Sequence, residues 1–486
     1  MGIKSIKKNY IYNLILTTVN MIFPLITAPY LSSILGVENI GKVNYANSVV
    51  SWFVLFAAFG IPRYGIREIA RNRDNKKELS NSFWNLLLIQ FILSFIAILI
   101  YLIMIFNIDI FKADIKLYIL MILMIFLNIF SIDWFYQGIE EYGYITGRNL
   151  IVKMISLILI FLMVRHKDNY LLYALINIIG ISFNNILNYL NTKKYIVKKI
   201  HKFKVFYYLK ELRVYFATTL IISLYTQVDQ TFIGSISQSD LALYLRSKTI
   251  QSVGISIVNS LTTVFIPRTA YLIKNNYKEY KNIIQRSINY IYILAFPCVA
   301  GVFLLAREAM LLLGGEQFLP ATNSLKIISF IILVNSIGNW QVNQILIPNN
   351  KEKLAFNIQV SASIFSIIFN IILIPKYSYI GAAITWLLAE TYLVIAEGIF
   401  IKYKCKDLSI KYINLSAIKY IIATIFMSVI ISGIKVIFNN NIIIIAVSVI
   451  LGSIIYLLGL ILLKDKLIVE TLKEIKNRCK HKLLLS

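Results

Sequence analysis

Apolar segments of about 20 residues recur along the whole chain, and charged residues are concentrated between them. A helix of that length crosses a hydrocarbon core about 30 Å thick. The pattern predicts about fourteen membrane-spanning helices with short connections, which leave no room for a soluble catalytic domain. The predicted spans cover approximately residues 10–35, 43–66, 83–106, 117–138, 149–164, 170–191 and 214–236 in the first half, and 249–267, 287–306, 325–348, 354–374, 379–401, 417–438 and 441–463 in the second.

The composition is typical of a multi-pass membrane protein. Of the 486 residues, 58% are hydrophobic and 15% are charged, whereas charged residues make up about a quarter of a soluble domain. The first apolar segment lacks the short core and cleavage site of a signal peptide, so we expect it to remain as a span. The sequence therefore predicts an all-α polytopic membrane protein.

The distribution of the net charge of +26 predicts the orientation. If the N-terminus is cytoplasmic, the inner segments hold 38 of the 49 Lys and Arg residues and the outer loops hold 11. This asymmetry follows the positive-inside rule, and it predicts an even number of spans with both termini in the cytoplasm. The inner charges would also attract anionic lipid headgroups.

The sequence offers no familiar catalytic or metal-binding pattern. The cysteines and histidines are far apart and form no CxxC or Cys/His motif; they are Cys298, Cys405, Cys479, His166, His201 and His481. A GxxxxGK[ST] phosphate-binding loop is also missing from the sequence. We therefore expect a protein that is not an enzyme and needs no metal or cofactor.

Short motifs recur at an offset of about 206 residues. Ile61-Pro62-Arg63 recurs as Ile266-Pro267-Arg268, and Asp133-Trp134 recurs as Asn339-Trp340. The same offset relates Asn184 and Asn191 to the acidic residues Glu390 and Glu397. The sequence thus predicts two homologous six-helix lobes at residues 1–200 and 201–410, followed by two extra helices and a basic tail at residues 411–486.

The strongest repeat is a polar stripe on the first and seventh spans. Its members in the first span are Asn13, Thr17, Asn20, Pro24 and Thr27, spaced by four or three residues along one helix face. The offset of 206 leads to Thr219, Ser223, Thr226 and Gln230 in the seventh span. Because six spans separate the lobes, both enter the membrane in the same direction, and we expect polar walls around a central cavity between them.

Several segments resemble the Wzx-type polysaccharide flippases of the multidrug, oligosaccharidyl-lipid and polysaccharide exporter superfamily. They are "YLSSILGVENIGKVNYANSVVSWF" (30–53), "FGIPRYGIREIARNR" (59–73), "DWFYQGIEEYGYITGRN" (133–149), "TTVFIPRTAYL" (262–272) and "LIPKYSYIGAAITWLLAE" (373–390). The chain departs from that family at "DLALYLRSKT" (240–249), where a Gly-Tyr-Tyr-Ser-Ala-Ala-like stretch is usual.

The resemblance implies a flippase in the plasma membrane of a bacterium or archaeon. It would carry an undecaprenyl-pyrophosphate-linked oligosaccharide from the inner to the outer leaflet by alternating access, for surface polysaccharide of the O-antigen or capsule type. A polysaccharide polymerase is an expected partner. The alternatives are a cation-coupled multidrug antiporter of the same superfamily, a lipid II flippase, and a membrane glycosyltransferase or polymerase.

Neutral polar residues would let a sugar chain exchange hydrogen bonds as it crosses the membrane. The candidates are Asn13, Thr17, Asn20, Thr219, Ser223, Thr226 and Gln230, and helix-to-helix packing is the competing interpretation. The ladder of Asn177, Asn184, Asn188 and Asn191 in the sixth span is more simply explained by packing.

Basic residues are candidates for binding a pyrophosphate, since the planar guanidinium matches phosphate oxygens. The candidates are Arg63, Arg67, Arg148 and Arg268 near the inner entrance, and Arg246 and Lys248 near the outer mouth. The competing interpretation is that the inner set only fixes the topology. Arg63 and Arg268 are preferred because they recur in both lobes.

Acidic residues within spans are functional candidates because their burial is costly. Asp229, Glu390 and Glu397 could couple transport to H⁺ or Na⁺, or could pair with an arginine in one state. We expect Asp133 near the inner end of the fourth span, with Arg148 at the same level and Trp134 in the headgroup zone with one wet edge. Trp340 occupies the equivalent place in the tenth span, so Asp133, Trp134 and Trp340 are predicted to form gate or cleft elements. The competing interpretation is an anchoring Trp with a solvated Asp.

Overall fold

A computed structural model describes residues 6–197, 203–405, 407–408 and 410–470, without the side chains of residues 6, 7, 9, 10, 13 and 261. Across these ranges the regular secondary structure is helical, and no strand occurs. The predicted all-α fold is confirmed. Contacts divide the chain into two compact units, Met1–Leu243 and Tyr244–Ser486.

The first unit contains nine α-helices and the start of the tenth within the described ranges. They are α1 (Ile6–Ala58), α2 (Ile61–Asn72), α3 (Lys76–Asn107), α4 (Asp109–Lys112), α5 (Ile115–Asn128), α6 (Asp133–Gly138), α7 (Tyr142–Met163), α8 (Tyr170–Asn191), α9 (Val205–Ile236) and the start of α10 (Gln238–Asn275). Packing therefore groups α9 with the first unit. The predicted lobe boundaries rest on the repeat in the sequence, whereas the two units are defined by contacts between helices. The lobe boundaries therefore remain a prediction.

The second unit contains the rest of α10 and seven further α-helices within its described residues. These are α11 (Tyr277–Leu304), α12 (Ala306–Gly314), α13 (Thr322–Ser329), α14 (Ile331–Trp340), α15 (Glu352–Lys404), α16 (Leu415–Ile437) and α17 (Asn441–Leu462). A π-helix, Gln341–Leu346, continues α14. The last two helices pack against α11 through a buried cluster that includes Tyr420, Ala423 and Ile431.

Among the described residues, eleven helical stretches are long and apolar enough to cross a membrane. Two of the helices, α1 and α15, are 53 residues long, and each is divided by one residue with non-helical dihedral angles. In α1 this residue is Gly36 with φ of 71°, a conformation that glycine adopts without steric cost. Dividing α1 and α15 at these residues adds two helices to the eleven, and the 32-residue α9 adds a third. The helices are therefore compatible with the predicted fourteen spans.

The predicted fourth and tenth spans are not continuous helices. After α5 ends at Asn128, the chain turns before α6 begins at Asp133. The side-chain amide of Gln90 in α3 donates to the carbonyl oxygens of Asn128 and Ser131 in this turn. In the tenth span, the α-helix changes to the π-helix directly after Trp340. The two irregularities occupy corresponding positions of the repeat, and such interruptions mark functional regions in transporters.

A cluster of aromatic rings fills the first unit around the break before α6. Trp134, Phe135 and Tyr136 are fully buried, and Phe83 of α3 packs against Trp134 and Phe135. A Cβ atom on Gly65 of α2 would lie only 2.5 Å from the Trp134 ring. Only glycine therefore lets α2 approach the indole so closely.

Candidate functional site

The polar stripe of α1 borders a cavity inside the first unit. The cavity has a volume of about 250 Å³ and lies among α1, α7 and α8. Pro24 and Thr27 of the stripe line it, together with Lys153, Ser156 and Asn177. Thr27 is buried and its hydroxyl donates to the Phe23 carbonyl at 3.1 Å. The cavity thus combines hydroxyl and amide groups and one cation with a lining that is otherwise largely apolar.

The cation of this cavity, Lys153, lies near the middle of α7. Its Nζ is 4.8 Å from the centre of the Phe23 ring, a cation–π distance. Lys153 is absent from the residues predicted above, where only acidic groups within spans are considered. Its signal in the sequence is a single basic residue in the apolar run "LIVKMISLILIFLM" (150–163). An ionisable group in the middle of a helix long and apolar enough to cross a membrane is by default a functional candidate.

Three other stripe residues precede the cavity along α1. Thr17 and Asn20 are exposed, and the side chain of Asn13 lies outside the described residues. In α9, Thr226 is likewise exposed, while its hydroxyl donates to the Ile222 carbonyl at 2.9 Å. Asn20 and Thr226 are therefore not sealed inside helix contacts. Their place in a transport path remains a prediction.

The remaining stripe residues of α9 bond mainly to their own helix. The Thr219 hydroxyl donates to the Tyr215 carbonyl at 2.8 Å, and the Gln230 side-chain amide donates to the Thr226 carbonyl at 3.3 Å. Ser223 and Asp229 are buried, and the Asp229 carboxylate accepts a hydrogen bond from the Gln230 backbone N–H at 2.8 Å.

Asp133, Arg148 and Asn188 meet although they lie on three different helices. The Asp133 Oδ1 accepts from Arg148 Nη2 at 3.0 Å and from Asn188 Nδ2 at 2.6 Å. The Arg148 side chain is 4% exposed, whereas that of Asp133 is 44% exposed. Within the described residues, Nε and Nη1 of Arg148 have no hydrogen-bond partner. The buried guanidinium therefore retains donors for a further acceptor.

Asn184 and Asn188 are buried on the inner face of α8, while Asn177 and Asn191 are partly exposed. The Asn188 backbone carbonyl accepts the Tyr136 hydroxyl at 2.6 Å, so α8 is tied to α6 at this point. Trp134 is 2% exposed and donates to the Ser131 carbonyl at 3.1 Å. The expectation that its ring has one wet edge is wrong, because Gly65 and Phe83 enclose it.

The two arginines that recur in the repeat have different surroundings. Arg63 is exposed and forms no hydrogen bond or ion pair within the described part of the chain. Arg268 is also exposed, but its Nη2 lies 2.9 Å from a carboxylate oxygen of Glu279. Arg67 is exposed and donates to the Tyr215 hydroxyl at 2.9 Å. Arg63 thus has the least neutralised charge of the three.

The basic residues predicted near the outer mouth contact aromatic rings of the second unit. Arg246 is buried, donates to the Leu313 carbonyl at 2.5 Å and lies 4.6 Å from the centre of the Phe318 ring. Lys248 Nζ lies 4.5 Å from the centre of the Trp386 ring. Arg246 therefore connects α10 to α12.

Glu390 and Glu397 lie on one face of α15, separated by about two turns. The Glu390 carboxylate accepts from Asn335 Nδ2 at 3.3 Å and from Trp386 Nε1 at 3.3 Å. Glu397 is 2% exposed, and its Oε2 has no hydrogen-bond partner among the described residues. Gly338 faces this carboxyl, because a Cβ there would lie 3.7 Å from Oε2.

Trp340 is fully buried, and its indole N–H donates to the Ser287 hydroxyl at 2.8 Å. The next residue, Gln341, begins the π-helix and donates to the Tyr412 hydroxyl at 2.9 Å. The tryptophans at 134 and 340 therefore share burial at a helix irregularity. Their role in gating remains a prediction.

The chain is similar in sequence to proteins of surface polysaccharide synthesis. It is 23% identical over 403 residues to a putative O-antigen transporter of Escherichia coli K12, covering 79% of this chain and 94% of the relative. It is 24% identical over 375 residues to the capsular polysaccharide biosynthesis protein CapF of Staphylococcus aureus, with 75% and 91% covered.

Solved structures show the same fold. The lipid II flippase MurJ in an inward closed conformation superposes with a TM-score of 0.74 at 16% identity, covering 94% of this chain and 99% of MurJ. An inward-facing multidrug resistance MATE transporter of the MOP superfamily gives a TM-score of 0.63 at 14% identity, with 84% and 96% covered. The resemblance seen in the sequence is confirmed. A family model described as polysaccharide biosynthesis protein matches residues 6–273, more than half of the chain, and the chain belongs to this family.

Proposed function

We propose that the protein is a flippase for undecaprenyl-pyrophosphate-linked oligosaccharides in surface polysaccharide synthesis. It moves the cargo from the inner to the outer leaflet by alternating access. The observation that carries this proposal is Lys153, a cation that lines a cavity together with hydroxyl and amide groups and lies near the middle of a helix long and apolar enough to cross a membrane. The cost of holding a charge there is offset if an anionic group binds to it during transport.

The chemistry of the cavity favours this cargo over the cationic drugs of an antiporter. Among the residues that line the cavity, Lys153 is the one charged residue, and none is acidic. A cationic drug would be repelled by Lys153 and would find no carboxylate there. A pyrophosphate would pair with the ammonium, and sugar hydroxyls would exchange hydrogen bonds with Thr27, Ser156 and Asn177.

Further parts of the proposal concern energy, partners and location. Glu390 and Glu397 are the sites at which H⁺ or Na⁺ would couple to transport, since both carboxyl groups are buried within α15. The protein acts in the plasma membrane with both termini in the cytoplasm, and a polysaccharide polymerase receives its product. It performs no covalent chemistry.

A lipid II flippase is the second candidate, favoured by the superposition on MurJ. The two candidates share the pyrophosphate and the polyprenyl chain and differ in the attached sugar and peptide. Since Lys153 would serve either cargo, the cargo itself must be compared directly. Proteoliposomes that contain either fluorescent undecaprenyl-pyrophosphate oligosaccharide or fluorescent lipid II, with a membrane-impermeant quencher outside, separate the two.

We expect wild type to move the oligosaccharide faster than lipid II. Lys153→Gln should lower the transfer rate about tenfold or more through loss of a charged hydrogen bond, and Lys153→Arg should retain most of it. Lys193→Gln, at an exposed position after α8, is the matched control and should transfer at the wild-type rate. Unchanged transfer in Lys153→Gln, or preference for lipid II, would overturn the proposal.

A further inference from the structure

An apolar groove lies between α1 and α9 in the first unit. It has a volume of about 320 Å³, and Trp52 and Phe56 of α1 form one wall. Leu220, Leu224 and Val228 form the other wall, at intervals of four residues along one face of α9. Phe56 is 49% exposed, so the groove opens to the surface of the unit.

Both ends of the groove are defined by contacts between the two helices. At one end, Trp52 Nε1 donates to the Thr231 hydroxyl at 2.8 Å. At the other end, Phe216 of α9 stacks on Phe59 with ring centres 4.5 Å apart and contacts the Phe56 ring at 5.5 Å. The groove therefore extends from about residue 220 to residue 232 of α9, a length of about 18 Å. This is slightly more than half the thickness of a hydrocarbon core of about 30 Å.

A cationic cluster lies next to the Phe216 end. Gly60, with φ of 78°, places the start of α2 directly against α9, since a Cβ on Gly60 would lie 2.6 Å from the Phe216 nitrogen. This contact brings Arg67 of α2 within 2.9 Å of the Tyr215 hydroxyl. Arg63 lies one turn from Gly60, and Arg213 lies one turn before Phe216; all three arginines are exposed.

Nearby acidic residues only partly balance this charge. The Glu68 carboxylate is engaged inside the unit, where it accepts hydrogen bonds from Asn72 at 3.0 Å and Ser82 at 3.2 Å. Glu211 is exposed on α9, as is Lys210. The start of α2 and the residues before Phe216 thus carry four cations, Arg63, Arg67, Lys210 and Arg213, and two carboxylates, which gives this end of the groove a net positive charge.

We propose that this groove binds the hydrocarbon chain of a polyprenyl phosphate, with the phosphate on Arg63, Arg67 and Arg213. The apolar walls and the length of about 18 Å suit part of one hydrocarbon chain. The single phosphate matches the guanidinium groups in charge and geometry. The site extends the proposed function, on which the choice of a polyprenyl carrier rests, by giving the tail a path separate from the cavity at Lys153.

Trp52 makes the groove directly testable by fluorescence. The full-length protein is placed in nanodiscs of unlabelled phosphatidylcholine, and brominated geranylgeranyl phosphate is added in steps as the quencher. The signal of Trp52 is the difference between wild type and Trp52→Phe. We expect saturable quenching of this signal, and brominated phosphatidylglycerol at the same mole fraction should quench it far less.

Variants connect the quenching to the groove. Leu224→Phe fills the groove and should raise the half-quenching concentration, whereas Leu99→Phe, at an exposed position of α3, should not. The double variant Arg67→Gln, Arg213→Gln should raise it about tenfold or more through loss of charged hydrogen bonds. Arg71→Gln, exposed on the same helix as Arg67, is its control.

Equal quenching by the two brominated lipids, or equal effects of Leu224→Phe and Leu99→Phe, would contradict the proposal that the groove binds the polyprenyl chain. This result is separable from the proposed function. Saturable quenching without oligosaccharide transfer would support the groove and reject the flippase. Transfer at the wild-type rate without specific Trp52 quenching would reject the groove alone.

Discussion

Asp133 and Arg148 form an ion pair of 3.0 Å in which the two partners differ in exposure. The arginine is enclosed by the protein, while the carboxylate reaches the surface of the unit. The pair joins the first residue of α6, directly after a helix break, to α7. Because breaking such a pair leaves one charge without a partner, the exposure of that charge determines the cost.

The first prediction uses this asymmetry. Asp133→Asn leaves the buried Arg148 without its ion-pair partner and should lower the free energy of unfolding by about 1–3 kcal/mol. The cost is smaller than for a fully buried pair, because solvent already screens the exposed Asp133 carboxylate. Arg148→Met fills most of the space and leaves only the exposed Asp133, so it should cost less. Thermal unfolding of the detergent-solubilised variants measures both. If Arg148→Met lowered the free energy of unfolding as much as Asp133→Asn or more, the burial of Arg148 would not determine the cost of breaking the pair.

Gly65 and Gly147 give a prediction about packing around Trp134. Gly65→Ala places a Cβ 2.5 Å from the Trp134 ring, and the resulting overpacking should destabilise the protein by about 1–3 kcal/mol. Gly147→Ala on α7 meets nothing within 4 Å and should instead stabilise its helix by about 0.5–1 kcal/mol. The melting temperatures should therefore move in opposite directions, and a common direction would contradict the packing of α2 on the indole.

The repeated arginines should contribute unequally to transport. Arg268 is partly neutralised by Glu279, whereas Arg63 has no ion pair within the described residues. Arg63→Ala should therefore slow oligosaccharide transfer more than Arg268→Ala in the proteoliposome assay, and Arg71→Ala serves as the control. Wild-type transfer in the double variant of Arg63 and Arg268 would remove both from the binding of the pyrophosphate.

Glu397 gives a prediction about coupling. Its carboxyl is buried, and Oε2 has no partner among the described residues, so we expect this group to take up and release a cation if transport is coupled to one. Glu397→Gln should make the transfer rate independent of an imposed H⁺ or Na⁺ gradient while the fold is retained. Glu38→Gln, whose carboxylate is exposed beside Lys42, should keep the wild-type gradient dependence. A gradient response that survives in Glu397→Gln would exclude this carboxyl as the coupling site.

The sequence by itself determined the all-α membrane fold, because crossing a bilayer requires long apolar helices whose length and composition are local properties. It also revealed the offset of 206 residues, and it marked Asp133 and Trp134 as unusual at the end of an apolar run. These features need no knowledge of which helices are neighbours. The same holds for Lys153, a single basic residue in an apolar run of the sequence.

Only the tertiary structure decided which side chains meet. At the break before α6, the carbonyls of Asn128 and Ser131 accept hydrogen bonds from Gln90, which lies on another helix. The contacts of Asp133 with Arg148 and Asn188, and the closure of a cavity around Lys153, depend on how each helix is rotated against its neighbours. Successive residues of a helix point in directions about 100° apart, so a small difference in the rotation or register of a helix changes which side chains meet. The hydropathy of the sequence does not determine this rotation or register.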